Sequence, residues 1–193
     1  MKENWKTAFE MMIHHEGGFT ADKRDSGNSD DGHGNQGSTN LGVTAKVWAE
    51  WTGKPAPIDV MKELTIEDVE PLYKKNYWDR CKCDDLVGGF DLSVFDMAVN
   101  AGTGRSAKFV QKICGATQDG AIGNKTLALL KGIGAEYAIN EFAKIRSEYY
   151  ASLSAYKHMA EVGIGELKKP DKNHLVWCNN DYKPNRASYS AVR

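Results

Sequence analysis

The spacing of apolar residues is the feature of this sequence that most constrains its fold. Apolar side chains recur three or four positions apart over most of the chain, as in the run of Trp5, Phe9, Met12 and Ile13. This period places them on one face of an α-helix. No long stretch alternates apolar and polar residues, the period of a half-buried strand. The sequence therefore predicts a mainly α fold with at most a short β-hairpin, in the polar loop of residues 20–40.

Helix ends are predicted from capping residues and glycines. Thr44 and Thr65 are N-cap candidates, and Thr65 has an acid three positions later, as in a capping box. Gly53 and Gly102 end helices, and Pro71 is expected to disturb its helix. The predicted helices are residues 3–15, 44–53, 65–77, 90–101, 105–114, 125–131 and 135–160. In the longest predicted helix, residues 135–160, the side chains expected to point into the core are Tyr137, Phe142, Ile145, Tyr149, Leu153 and Tyr156.

Composition and charge exclude several classes of function. The chain has 193 residues, 41% of them hydrophobic, enough to bury a core. A net charge of −1 leaves no electrostatic footprint for nucleic acid, so no nucleic-acid partner is expected. No apolar run approaches the length of a membrane span, and the N-terminus lacks the apolar core of a signal peptide. We therefore expect a monomer that is made in the cytosol.

The cysteines predict reduced thiols rather than a disulfide framework. Four cysteines in a chain of this length are too few to staple a fold, and Cys81 and Cys83 form a C-x-C pair rather than the C-x2-C of zinc sites. A bridge from Cys178 to another cysteine stays open.

Glu16 follows the first predicted helix and lies in line with its apolar face. Eleven steps of about 100° separate it from Trp5, so the two side chains fall within roughly 20° around the helix axis. Gly17 and Gly18 then end the helix. Burial and the negative end of the helix dipole both raise the pKa of such a carboxyl. A carboxyl protonated near neutral pH suits a general acid; a partly exposed surface residue before a helix end is the alternative.

Asp25 and Thr39 lie in the polar loop that follows. We expect the loop to fold back across the helix end, so that Glu16, Asp25 and Thr39 face one cleft. An acid, an ionised carboxylate and a hydroxyl can together hydrolyse a glycosidic bond. Glu16 would protonate the leaving oxygen, while Asp25 and Thr39 orient or activate a water or stabilise the developing positive charge.

A series of segments, in order, resembles the muramidases of glycoside hydrolase family 108. The family's pattern runs Glu-Gly-Gly-aromatic, then Asp-x-Gly-Gly-x-Thr, then Gly-Ile/Val-Ser/Thr. The matching segments are Glu16-Gly17-Gly18-Phe19, Asp25-Ser26-Gly27, residues 37–44, Tyr73-x3-Tyr77-Trp78-Asp79, Phe95-Asp96-x-Ala98-Val99-Asn100-x-Gly102 and Gln118-Asp119-Gly120-x-Ile122-Gly123. The order Glu, eight residues, Asp, then Thr also resembles the catalytic triad of phage lysozymes.

This resemblance implies a lysozyme-like helical fold and cleavage of the β-1,4 bond between N-acetylmuramic acid and N-acetylglucosamine. Glu16 is then the acid, and Asp25 and Thr39 are its partners. It implies a catalytic region at residues 1–90 and a helical, peptidoglycan-binding-like region at residues 91–193, packed as one globular unit. The partner is the glycan strand of peptidoglycan, and the setting is a phage endolysin made in the host cytoplasm and released by a holin.

Two segments depart from the family's pattern. Residues 28–36 look like an insertion between the Asp-x-Gly and Gly-x-Thr parts, so Asp30 and Asp31 stay candidates for the second carboxylate. Near the C-terminus Trp177 fits, but the expected glycine and arginine around it are missing. The role of the last thirty residues is left open.

Further residues are candidates for binding substrate. Most of the helically spaced aromatic residues are expected in the core, but Tyr77 and Trp78, beside Asp79 and Arg80, are kept as cleft lining. Asp96 and Asn100, four positions apart, share a helix face and either bind glycan or make structural hydrogen bonds.

The histidines near Glu16 bear on a metal-dependent alternative. Adjacent His14 and His15 point about 100° apart on a helix, and no His-Glu-x-x-His motif occurs, which disfavours a zinc amidase or peptidase. We therefore expect no metal and no cofactor. A non-catalytic wall-binding or secretion-accessory protein, a lytic transglycosylase and a chitin-cleaving enzyme remain as alternatives.

Overall fold

Helices form most of the structure, together with one small sheet. The computed structural model describes residues 4–14, 18–24, 28 and 30–153. In chain order the elements are α1 (Asn4–Ile13), β1 (Thr39–Asn40), β2 (Val43–Thr44), α2 (Ala45–Thr52), α3 (Ile58–Lys62), α4 (Ile66–Tyr73), α5 (Phe90–Ala101), α6 (Thr103–Cys114), α7 (Asn124–Leu130) and α8 (Ala135–Ser152). A π-helical segment (Lys74–Asp79) follows α4, and a 3-10 turn (Cys83–Asp85) precedes α5. The prediction of a mainly α fold is confirmed.

The predicted caps form where expected. The Val47 N–H donates to Thr44 Oγ1 at 3.3 Å at the start of α2, and Gly53 ends that helix with φ of 69°. At the start of α4, Thr65 Oγ1 accepts from the Asp68 N–H at 3.3 Å, and the Asp68 carboxylate accepts from the Thr65 N–H at 2.9 Å. These bonds satisfy backbone donors that the first turn of a helix leaves without a partner.

Several helix boundaries differ from the prediction. α1 ends at Ile13, and residues 15–17 lie outside the described residues. α4 continues through Pro71 and passes into the π-helical segment. In α8, Tyr137 and Leu153 are exposed rather than inward. Tyr137 lies five positions before the buried Phe142, which places it about 140° away around the helix. Tyr156 and the rest of the predicted helix lie outside the described residues.

β1 and β2 pair antiparallel in a hairpin at the end of the predicted loop. The paired residues are Thr39 with Thr44 and Asn40 with Val43. Leu41 and Gly42 form the turn with φ of 50° and 73°. A tight hairpin turn requires such positive values, which are unfavourable for leucine. The Tyr73 hydroxyl donates to the Leu41 carbonyl at 3.0 Å and so holds this turn in place.

Contacts divide the described chain into two units. The N-terminal unit is Trp5–Asn76, and the C-terminal unit comprises Asn4 and residues 77–153. The segment before α5 packs with that helix in the C-terminal unit, with the Trp78 ring 5.6 Å from that of Phe95. The division after residue 90 into a catalytic and a peptidoglycan-binding-like region stays a prediction.

Aromatic residues join α1 to α4 in the core of the N-terminal unit. The Trp5 and Phe9 rings stack with their centroids 5.2 Å apart, and Phe9 lies 5.9 Å from Tyr73. Trp5 Nε1 donates to Glu70 Oε1 at 2.9 Å. A second cluster surrounds α2 and α3 and consists of Ala45, Ala49, Ala56 and Met61, with Phe19, Trp48 and Leu64 packed against it. The apolar face of α1 is thereby anchored, and that helix precedes Glu16 in the sequence.

The C-terminal unit is built around α5, which packs against α6 and α8. Phe142 of α8 contacts both Phe90 and Phe109, with ring centroids 5.6 and 5.9 Å apart. The buried amide of Gln111 donates to Asp119 Oδ1 at 2.6 Å and accepts from the Gly120 N–H at 3.0 Å. This amide holds the turn of the Asp-Gly-x-Ile-Gly element. In the described part of the chain no helix has the length and apolar character needed to cross a membrane.

Candidate active site

The described part of the site is centred on Thr39. Glu16 and Asp25, the other two predicted catalytic residues, lie outside the described residues. The roles of Glu16 and Asp25 stay predictions.

The backbone of Thr39 is held by Thr20, which follows the Glu-Gly-Gly-Phe segment. The Thr39 N–H donates to the Thr20 carbonyl and the Thr20 N–H donates to the Thr39 carbonyl, both at 2.8 Å. Thr39 also pairs with Thr44 in the hairpin. A residue paired with two strand segments has little freedom in φ and ψ, so the direction of its side chain is set by the backbone.

The side chain of Thr39 is held by Asn28. Thr39 Oγ1 donates to Asn28 Oδ1 at 2.7 Å, and Asn28 Nδ2 donates to the Asp22 carbonyl at 3.1 Å. A carbonyl only accepts, so the amide nitrogen of Asn28 must face Asp22 and its oxygen must face Thr39. Asn28 is 1% exposed. Its amide therefore links Thr39 to the segment on the other side of the loop.

Gly37 allows this arrangement because its backbone lies directly against that of Asn28. A Cβ at Gly37 would lie 2.7 Å from the Asn28 carbonyl carbon and 2.9 Å from the Asp30 nitrogen. Non-bonded contacts of a Cβ atom are essentially never this short, and both partners are backbone, so a larger residue would force the two segments apart.

The segment interpreted as an insertion folds around Asp31. This carboxylate is 1% exposed and accepts hydrogen bonds from the N–H of His33 at 2.8 Å, the N–H and Nδ2 of Asn35 at 3.0 and 2.8 Å, and the N–H of Ala56 at 3.0 Å. Burial raises the pKa of Asp31, but the bonds from Asn35, His33 and Ala56 outweigh it, so the pKa lies well below its ordinary value. The four donors occupy the carboxylate and make Asp31 an anchor of the loop.

An open cleft of about 590 Å³ lies along this loop. The polar side chains that line it are those of Lys23, Asn28, Asp30, Asn35 and Gln36. Polar side chains along an open cleft suit a polar polymer better than a compact apolar ligand. Asn28 belongs both to this lining and to the hydrogen bond with Thr39.

The two aromatic residues predicted to line the cleft differ in burial. Tyr77 is half-buried, whereas Trp78 is fully buried. Trp78 packs against Phe95, and its Nε1 donates to Asp84 Oδ1 at 2.9 Å. The prediction that Trp78 lines a cleft is corrected here, since its ring has no exposed face on which a sugar could stack.

Asp96 and Asn100 meet on one face of α5, as their spacing predicted. Asn100 Nδ2 donates to Asp96 Oδ1 at 3.1 Å and to the Asp96 carbonyl at 2.8 Å. Arg146 of α8 forms an ion pair with Asp96 Oδ2 at 2.5 Å and is 3% exposed. Asp96 therefore joins α5 to α8, and Asn100 is the more exposed member of the pair.

The predicted catalytic and substrate-binding residues belong to different units. Glu16, Asp25 and Thr39 fall within the sequence of the N-terminal unit, while Tyr77, Trp78, Asp96 and Asn100 belong to the C-terminal unit.

The thiols and carboxylates of the described residues do not form a metal site. No three histidine, cysteine, aspartate or glutamate residues in that part of the chain are placed to hold a metal ion. Cys81 and Cys83 are buried, and burial raises the pKa of Cys81 to about 12 and that of Cys83 further. Cys178 lies outside the described residues.

Three polar residues make contacts that the sequence does not predict. Asn28 lies in the segment interpreted as an insertion and binds Thr39, Asp31 accepts hydrogen bonds from its own loop and from Ala56, and Arg146 pairs with Asp96. Only Arg146 carried a local signal, because it lies four positions after Phe142 and so on the buried face of α8.

Comparisons with known proteins find a family that matches the N-terminal part of the chain. The family Glycosyl hydrolase 108 matches residues 9–102, a range that contains Glu16, Asp25 and Thr39. Among solved structures the chain is similar to SagA of Brucella abortus, with 28% identity and a TM-score of 0.70. That match covers 94% of this chain and 99% of the SagA chain. No curated protein matches the sequence.

Proposed function

The chain belongs to glycosyl hydrolase family 108, and from this premise we propose that it is an N-acetylmuramidase that cuts peptidoglycan. Family membership makes it a glycoside hydrolase. The proposed bond is the β-1,4 bond between N-acetylmuramic acid and N-acetylglucosamine. The observation that carries the proposal is that the family match spans Glu16, Asp25 and Thr39, while the structure holds Thr39 by both backbone and side chain beside an open polar cleft.

The reach of the chain supports Asp25 as the partner of Thr39. Asn28 follows Asp25 by three residues, which keeps the two Cα atoms within about 11 Å. Asn28 itself contacts Thr39. Asp31, the competing carboxylate, accepts four hydrogen bonds and is buried, which leaves it poorly suited to take a proton from water.

The proposed reaction needs one acid and one water. Glu16 donates its proton to the glycosidic oxygen as the bond from that oxygen to the anomeric carbon breaks. A water oxygen forms the new bond to the anomeric carbon. Asp25 takes a proton from this water or stabilises the positive charge on the sugar, and Thr39 positions the water. Tyr77 and Asn100 are proposed to contact the glycan.

Mass spectrometry of fragments released from purified peptidoglycan tests this proposal. The wild type and Glu16→Gln are compared, each with and without EDTA. We expect fragments with reducing-end muramic acid from the wild type, unaffected by EDTA, and none from Glu16→Gln. Equal melting temperatures of the two proteins would show that the variant is folded.

Other outcomes would replace the proposal. Anhydro-muramic ends would indicate a lytic transglycosylase. Cleaved peptides, or activity lost to EDTA, would indicate a metal-dependent amidase or peptidase. Wall binding without any fragments would indicate a binding protein of the same fold.

A further inference from the structure

We propose that Asn28 is a positioning residue that fixes the Thr39 hydroxyl as a hydrogen-bond acceptor for the hydrolytic water. This inference rests on the proposed muramidase function and deepens it. It follows from the direction of two hydrogen bonds, from Thr39 Oγ1 to Asn28 Oδ1 at 2.7 Å and from Asn28 Nδ2 to the Asp22 carbonyl at 3.1 Å.

The direction of these bonds determines what Thr39 can offer to a ligand. A hydroxyl has one proton to donate and two lone pairs that accept. The Asp22 carbonyl requires a donor, so Asn28 presents its oxygen to Thr39 and takes up the hydroxyl proton. Thr39 Oγ1 is thereby left with accepting capacity only.

An accepting Thr39 orients a water in a productive way. The water donates one proton to Thr39 Oγ1 and keeps the second for Asp25, the proposed base. Both lone pairs of the water oxygen then remain available, and one of them forms the bond to the anomeric carbon. A Thr39 that was free to rotate could donate its proton to the water oxygen and occupy the lone pair needed for attack. Asn28 prevents this orientation.

Asn28 is itself held firmly enough to act in this way. Its side chain is buried, and its backbone lies against Gly37, two positions before Thr39. The backbone of Thr39 is tied to Thr20 by two bonds. Both partners of the Thr39–Asn28 bond therefore have fixed backbones, which limits the entropy lost when a water is bound.

A double-mutant cycle separates this role from a purely structural one. The variants are Asn28→Ala, Thr39→Val and the double substitution, assayed on soluble, peptide-free glycan strands prepared from peptidoglycan. We expect Asn28→Ala to lower kcat about tenfold, the effect of one lost hydrogen bond, with KM within about twofold of wild type. In the Thr39→Val background Asn28→Ala should lower kcat no further, because no hydroxyl remains to be positioned.

Two further variants provide the control and the conservative rescue. Thr65→Ala removes the capping hydroxyl at the start of α4 and should lower the melting temperature while leaving kcat unchanged below it. Asn28→Asp keeps an oxygen that accepts from Thr39, and its protonated carboxyl can also donate to the Asp22 carbonyl. Its kcat relative to wild type should therefore exceed that of Asn28→Ala and rise as the pH falls.

The outcomes distinguish this inference from the proposed function. An equal fall in kcat on Asn28→Ala in both backgrounds would overturn the positioning role while leaving the muramidase proposal intact. So would an effect on the melting temperature without an effect on kcat. A wild type that releases no reducing ends, or only anhydro ends, would overturn the muramidase proposal and this inference with it, since no water would then need positioning.

Discussion

The Asp31 carboxylate accepts a hydrogen bond from the backbone N–H of Ala56 at 3.0 Å, across 25 positions of sequence. The same carboxylate binds N–H groups of His33 and Asn35 within its own loop. One side chain thus closes the loop on itself and ties it to the segment before α3. Asn35, which donates two of these bonds, also lines the cleft along the loop.

Replacing Asp31 by asparagine should therefore destabilise the fold. The new NH2 group would face donors of Asn35 and Ala56 where an oxygen now accepts. We expect the melting temperature at pH 7 to fall by about 5 to 10 °C. Circular dichroism measures it, with the exposed Asp59→Asn as the control that should change it little. An unchanged melting temperature in Asp31→Asn would show that the hydrogen bonds of the Asp31 carboxylate contribute nothing to stability.

The contribution of Asp31 to stability should depend on pH below about 4. Its pKa in the folded state lies below its ordinary value of 3.8 because of the hydrogen bonds it accepts against the opposing effect of burial. The stabilisation is therefore complete above pH 3.8 and is lost as the pH falls from there toward the folded-state pKa. The difference in melting temperature between wild type and Asp31→Asn should stay constant from pH 7 to pH 5 and narrow toward pH 3. A difference that does not narrow would contradict this assignment.

Adding one methyl group at Gly37 should disturb both folding and turnover. The Cβ of Gly37→Ala would lie 2.7 Å from a backbone carbon of Asn28, so the segment must shift. We expect the free energy of unfolding to fall by about 1 to 3 kcal/mol, the usual effect of overpacking. Turnover should fall as well, because the Thr39–Asn28 bond is displaced. Urea denaturation and the glycan assay measure the two effects, and Gly132→Ala, with no atom within 4 Å of its Cβ, is the matched control.

Removing the positive charge of Arg146 should destabilise the C-terminal unit. Arg146 is 3% exposed and forms an ion pair with Asp96 at 2.5 Å. Arg146→Met leaves a carboxylate without this counter-charge, and we expect a loss of roughly 3 kcal/mol in urea denaturation. The double substitution Asp96→Asn with Arg146→Met should recover part of the loss, and Lys144→Met on the exposed side of α8 should have little effect. A double variant less stable than Arg146→Met would argue against the ion pair.

The three candidate catalytic carboxylates should differ in their effect on turnover. We expect Glu16→Gln to abolish turnover with an unchanged or raised melting temperature, because a neutral amide cannot donate the catalytic proton. Asp25→Asn should lower turnover less. Asp30→Asn tests the remaining carboxylate of the loop. If Asp30→Asn lowered turnover and Asp25→Asn did not, the second catalytic role would move to Asp30; unfolding of Glu16→Gln would make that residue structural.

Local sequence signals predicted most of the secondary structure. The caps at Thr44 and Thr65 and the whole of α5 (Phe90–Ala101) are found as predicted. These features depend on residues within about four positions of one another, and short-range patterns describe such interactions well. Tyr137 shows the limit of such patterns. Its aromatic side chain suggests a core position, but it lies about 140° around the helix from the buried Phe142 and is exposed.

The sequence by itself determined the helical class, the capped starts of α2 and α4 and the order of the family motifs, since each depends on neighbouring residues. Only the tertiary structure decided which polar side chains are buried and which groups they bind. Thr39 meets Asn28 across eleven positions and Asp31 meets Ala56 across 25. Arg146 reaches Asp96 from another helix. The sequence pattern around a polar residue does not show which distant residue it will bind. Such pairs form only when the folded chain brings two polar groups together away from water, where each must find a hydrogen-bond partner.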